Sequence, residues 1–144
     1  VNTLLRILTA MAMAMACLPL AAAHAQHLER AAEGIDCAHV TSTMESDLCA
    51  SDRASDADAL LNTTYKQARR QLQQQTADGS CTHCGAAEQQ LIEAQRAWIQ
   101  LRDKDCDAVY AFNADGTSRN GAKMHCLTTH AQDRTRQLRD FYEL

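Results

Sequence analysis

Between Ser51 and Leu72 the apolar positions recur at Ala54, Leu61, Tyr65, Ala68 and Leu72, with Asp58 as the one charged member of the series. The resulting 4-3-4-3-4 spacing keeps one side of a helix toward a partner. Ser51 can cap free amides at the start, and Asp52 and Asp56 suit the positive end of the macrodipole. This helix is expected to give out in Gln73-Gln74-Gln75, before Ala77-Asp78-Gly79 turns the chain. A second stripe, Ala87, Leu91, Ala94, Trp98, Leu101 and Asp105, predicts a helix over residues 86–110. At ~1.5 Å per residue that helix spans roughly 37 Å. A third stripe, Leu127, Ala131, Arg134, Leu138 and Phe141, predicts a helix over residues 123–142 with Arg134 as its charged intruder. Ahead of all three, Ser42 with Glu45 reads as a capping box, and Met44 with Leu48 gives a short apolar edge, so a brief helix is expected to end near Cys49.

No run alternates apolar and polar residues long enough for a strand, and no internal repeat is visible. The expected architecture is all-α: a compact antiparallel bundle of three main helices plus one short N-terminal helix, stapled by disulfides. Residues 113–121, rich in Asn, Gly, Asp and Ser, form the expected turn between the last two helices. The few aromatic residues favour Leu, Ala and Met packing in helices over a strand-rich sandwich.

The N-terminus changes the compartment. Residues 1–25 carry Arg6 as their one cation, then an apolar stretch, then Ala23-His24-Ala25, small at both positions that a signal peptidase reads. A cleaved signal peptide over 1–25 is expected, followed by a flexible arm over 26–36 and one helical domain over 37–144. The competing readings are a membrane anchor, opposed by Pro19 and the single positive charge, and a lipoprotein at Cys17, whose upstream residues lack the expected Leu. A periplasmic or secreted location follows, with no membrane attachment after cleavage. The chain has 14 basic and 18 acidic residues, and losing Arg6 leaves the mature domain mildly acidic. No basic patch offers itself to nucleic acid.

Six cysteines remain beyond the leader, and six thiols allow 15 pairings. Cys106 and Cys126 flank the turn between the last two helices, which favours joining them. Cys37 and Cys49 bracket the short helix and suit a clasp that holds this otherwise marginal element. Cys81-Thr82-His83-Cys84 admits three readings. A local structural disulfide is favoured. A metal site would need an imidazole from His39, His125 or His130 beside His83, and redox exchange of the thioredoxin kind would want a preceding strand. Haem attachment fails, since Gly85 stands where histidine is required. No cofactor is expected.

The run Gln95-Arg96-Ala97-Trp98-Ile99-Gln100-Leu101-Arg102-Asp103-Lys104-Asp105-Cys106, then Cys126, then Arg134-Thr135-Arg136-Gln137-Leu138, resembles the lysozyme inhibitor LprI-like family of small secreted bacterial domains. Cys37, Glu45, Cys49, Asp58, Leu61-Asn62 and Tyr65 also fall where that family has them, so the likeness runs over nearly all of Cys37 to Leu138. It implies an extracytoplasmic helical domain with Cys37, Cys49, Cys106 and Cys126 as framework cysteines. It also implies signature or core roles for Asp58, Tyr65, Trp98, Arg102, Asp103 and Arg134. In the family's named member it implies binding and inhibition of lysozyme. Two departures stand out: Ala54 and Ala57 replace larger apolar residues, and Cys81 and Cys84 are additional.

An acidic domain suits a basic lysozyme as partner, because complementary fields speed encounter and orient it. The protruding turn Asp115-Gly116-Thr117-Ser118, held by a Cys106 to Cys126 bridge, is the candidate inhibitory loop, with plain helix connection as the alternative. Trp98 and Arg102 share a face at i, i+4, which allows a ring contact, although a core Trp98 with Arg102 at the edge is the simpler reading. Asp58 and Arg134 interrupt facing stripes and are expected to meet, or else Arg134 reaches solvent from the bundle edge. No G-x-S-x-G elbow, H-E-x-x-H pair or Gly-rich phosphate loop is present, so a non-enzymatic binding protein is expected. A non-catalytic envelope structural or metal-binding module with no enzyme target is the alternative function.

Overall fold

Ser42 opens the first helix with the reciprocal bonds that its spacing to Glu45 predicts. In the computed structural model, which describes residues 34–144, Ser42 has extended backbone and its hydroxyl accepts from the Glu45 amide at 3.2 Å. The Glu45 carboxylate reaches back to accept from the amides of Thr41 at 2.6 Å and Ser42 at 3.2 Å. These bonds, the Thr41 amide first, hold the Glu45 carboxyl below the usual range. The expected leader, over 1–25, lies outside the described residues, as does most of the expected arm over 26–36.

From this cap a single helix, α1, runs over Thr43–Ala77. The expected boundary at Ser51 is absent, and the residues assigned to a separate short helix are the first turns of α1. Physically, nothing between Thr43 and Ala77 stops a helix: the segment has no glycine or proline. Ser51 and Asp52 are only mild helix formers, and burial of Cys49 and Ala50 carries the helix through them. The helix ends at Asp78, and Gly79 takes a positive φ of 75° that a side chain would resist.

Helix α2 spans Cys84–Phe112 and α3 spans Arg119–Tyr142, so the connecting turn shrinks to residues 113–118. Asn113 closes α2, its side chain donating to the Val109 carbonyl at 2.8 Å. Contacts fix the direction of each helix. Asp47 accepts from Asn120 at 2.8 Å and Gln71 donates to the Tyr142 carbonyl at 3.0 Å, so α1 and α3 run parallel. Arg69 meets Glu88 and Asp107 meets Lys123, which sets α2 antiparallel to both. This is an up-down-up bundle with no strand among the described residues. No described helix is long and apolar enough to cross a membrane.

The core is built by Leu61, Ala68, Leu72, Leu91, Ala131 and Leu138, with Tyr65, Trp98 and Tyr142 packed at its margin. On α2 the inward face is Cys84, Glu88, Leu91, Gln95 and Cys106, one position round from the apolar stripe. Ala94 and Asp105 are exposed, and Leu101 is 55% exposed. On α3, Phe141 is 72% exposed and Tyr142 takes the inward place. On α2 the buried polar residues Glu88 and Gln95 have partners across the bundle, whereas Thr135 on α3 donates to the Ala131 carbonyl of its own helix.

Candidate functional site

Three disulfides join the six cysteines: Cys37 with Cys49, Cys81 with Cys84, and Cys106 with Cys126. The first and third lie at the end of the bundle where α1 and α3 begin and α2 ends. Cys49 and Cys106 are buried there. Between them the segment before α1 faces the start of α3 across a groove of about 650 Å³. Its walls include Val40, Thr41, Ser46, Thr117, Ser118 and His125.

The turn carrying Asp115, Gly116, Thr117 and Ser118 forms the rim of this end, and all four residues are exposed. It is shaped from within. The Gly116 amide donates to the Asn113 carbonyl at 3.1 Å, the Ala114 amide to the Ala111 carbonyl at 3.2 Å, and Arg119 reaches back to the Ala114 carbonyl at 3.3 Å. Thr117 and Ser118 line the groove. Beside the turn stands Phe112, 90% exposed, which sequence periodicity did not single out. Its signal was a large aromatic directly before a polar turn, off the apolar stripe.

A polar ladder runs along α2, in which the signature position Arg102 is joined by Glu88 and Gln95, two residues the signature did not include. Glu88, Gln95 and Arg102 recur every seven residues. Glu88 Oε1 accepts from Arg69 Nη2 at 2.7 Å, Arg69 Nε at 3.0 Å and Gln73 Nε2 at 2.6 Å. The Arg69 bonds hold the Glu88 carboxyl below its usual range despite burial, and the same contact raises Arg69. Gln95 Oε1 accepts from Arg134 Nε at 3.1 Å. Desolvation at this site pushes the Arg134 guanidinium down.

Arg102 is the third rung. Its Nη1 lies 3.1 Å from Asp58 Oδ1 on α1, its Nη2 lies 2.8 Å from Asp103, and its guanidinium carbon stands 5.2 Å from the centre of the Trp98 ring. The expected meeting of Asp58 with Arg134 is therefore replaced. Arg102 answers Asp58, while Arg134 sits further along α3 and bonds Gln95 and Gln137. The sequence reading placed Arg102 outside the buried stripe, so its longer reach across to α1 was missed. Trp98 is half-buried at the core margin rather than central, with His130 edge-on at 6.4 Å between ring centres. Tyr65 also packs at that margin, under Arg69 at 5.8 Å.

Ala54 has a visible consequence. With Ser51, Ser55, Met124 and Leu127 it lines a groove of about 320 Å³ beside the Asp58–Arg102 pair, space that a larger side chain would occupy. Metal chemistry gains little support from the ligand geometry. Sulfurs of Cys106 and Cys126 and a His130 nitrogen lie within 4.8 Å of one another, but both sulfurs are committed to their disulfide and a thiolate is the metal-binding form. Cys81 and Cys84 are bonded to each other in the same way.

Fold, framework cysteines and ladder together define a small disulfide-stapled α-helical domain. Residues 36–138 match the family described as lysozyme inhibitor LprI, and the chain belongs to that family. It is 34% identical over 112 residues to an uncharacterized protein of Rhizobium meliloti (strain 1021), covering 75% of this chain and 79% of that one. No solved structure matches the chain.

Proposed function

We propose that this protein is a periplasmic or secreted, non-catalytic inhibitor of lysozyme-type peptidoglycan hydrolases, and that it acts through the end of the bundle bearing the turn at Asp115–Ser118. Membership of the LprI family carries this reading. The distribution of charge supports the choice of surface. Toward that end lie Asp47, Asp52, Asp56, Asp103, Asp107 and Asp115, and although Arg53, Arg102, Lys104, Arg119 and Lys123 stand among them the end keeps an acidic excess. In the other half Lys66, Arg69, Arg70, Arg96, Arg136 and Arg139 are nearly balanced by acids such as Asp78, Glu88, Glu93 and Asp133, so it carries no comparable acidic excess. A basic enzyme is drawn to the first end and turned toward it.

Once docked, the short self-bonded turn loses little freedom, and Phe112 supplies the exposed aromatic that interface centres favour. The 1–25 leader and its removal belong to the same proposal. The test is a cell-wall turbidity assay of the mature protein against a panel of lysozymes. Inhibition near equimolar ratio is expected for at least one, weakened by Phe112→Ala and by Asp115→Lys. Full lytic activity of every enzyme under a large excess of inhibitor would refute the reading.

A further inference from the structure

The second disulfide, Cys81–Cys84, stands apart from the other two. It lies at the opposite end of the bundle from the turn at Asp115–Ser118, where α1 ends and α2 begins, and it closes a sequence separation of only 3 against 12 and 20 for the others. So short a loop restricts the unfolded chain least, and its bridge contributes least to stability in the chain-entropy model. The turn is also held without it. The Cys81 amide donates to the Gln75 carbonyl at 3.2 Å, and the Ser80 amide to Asp78 Oδ1 at 2.9 Å.

The two sulfurs are unequal. Cys84 is 5% exposed and belongs to the core cluster, whereas Cys81 is partly exposed at the core margin. Cys84 is also the first residue of the 29-residue α2, preceded by His83, which makes no side-chain cap, and followed by a first turn with no acidic residue. The positive end of that helix is therefore left without a side-chain anion at the position where a Cys84 thiolate would stand.

We propose that Cys81–Cys84 is an exchange-active disulfide, opened by a dithiol reductant through attack on Cys81 without unfolding of the bundle. The attacking thiolate forms a bond to Cys81 Sγ as the Cys81–Cys84 bond breaks, and Cys84 Sγ departs with the electron pair and takes a proton from solvent. The second thiol of the reductant then displaces Cys81. The protein has gained two electrons and two protons, and the reductant leaves as its own disulfide. A leaving thiolate stabilised by a helix N-terminus favours this direction of attack. The natural reductant is of the protein dithiol class, with dithiothreitol as its laboratory stand-in. This inference is independent of hydrolase inhibition, which uses the other end of the molecule.

Graded dithiothreitol followed by alkylation and peptide mass analysis tests it. Cys81 and Cys84 are expected to be labelled at about tenfold lower reductant than the other four cysteines, with the helical circular dichroism unchanged. Opening together with Cys37–Cys49 and Cys106–Cys126, or after them, overturns the proposal, as does loss of helix when only Cys81 and Cys84 are labelled. Single variants test the direction of attack. In Cys84→Ser the Cys81 thiol is expected to react with a dipyridyl disulfide about tenfold faster than the Cys84 thiol does in Cys81→Ser, and the reverse order overturns the assigned direction.

Discussion

The two halves of the bundle are held by different means. From Leu61 toward the far end, Leu61, Leu72, Leu91 and Leu138 interlock at 5% exposure or less, and a conventional apolar core does the work. At the end bearing the turn, the buried residues are Cys49, Ala50 and Cys106, all small and all outside that contiguous cluster. Little apolar area is available there to stabilise three helix ends, and two long-loop disulfides stand in its place. Cross-links act where packing is thin because they limit the unfolded chain rather than needing volume to bury. The same economy of apolar residues leaves that end free to carry carboxylates and an exposed aromatic.

Leu138→Ala should have the largest effect, because the side chain is fully buried where all three helices meet. A loss of about 3–5 kcal/mol is expected in denaturant unfolding. Joint replacement of Cys106 and Cys126 by serine should cost about 3 kcal/mol. Its signature is local: amide exchange should accelerate around residues 106–126 and at the start of α1, while amides near Leu61 and Leu91 keep their protection. Uniform acceleration along the whole chain would dissolve the contrast between the two ends.

Acid should probe the leucine-rich half through Glu88. Its carboxyl is depressed in the folded state by Arg69, so it contributes stability above the unfolded glutamate value and loses it as pH falls through the folded one. Stability should decline below about pH 4.3, and Glu88→Gln should flatten that decline. Glu45 and Asp78 are shifted in the same direction, so some slope should remain. An unchanged slope in a pH series of thermal melts would remove Glu88 from the account.

Much of this was legible in advance, and the misses have two separate causes. The stripe through Leu61, Tyr65, Ala68 and Leu72 gave the α1 face because its inward residues are mostly apolar. The α2 face was read one position off because Glu88, Gln95 and Arg102 point inward, and periodicity counts such residues as outward. Only the positions of their partners on α1 and α3 justify burying them, and a one-dimensional pattern does not contain those positions. The turn between the last helices was visible from its composition, its start at Asn113 included, and only its end moved, from 121 to 118. Ser51 misled in the opposite sense, since a good capping residue stays mid-helix when the chain on both sides is already helical.

Arg102 and Arg134 give the finest discrimination between a partner read from pattern and a partner read from geometry. Asp58 is about half exposed, with 47% of its side chain accessible against 18% for Arg102. Solvent screening therefore limits their pair, and a double-mutant cycle of Asp58→Ala with Arg102→Ala should give a coupling of under about 1 kcal/mol. The cycle of Asp58→Ala with Arg134→Ala should be additive within about 0.5 kcal/mol, because Arg134 answers Gln95 instead. Arg102 also covers the Trp98 ring, so Arg102→Ala alone should cost more than Asp58→Ala alone. Coupling to Arg134 with none to Arg102 would restore the pairing that the apolar stripes suggest, and would require α3 to turn its Arg134 edge toward Asp58.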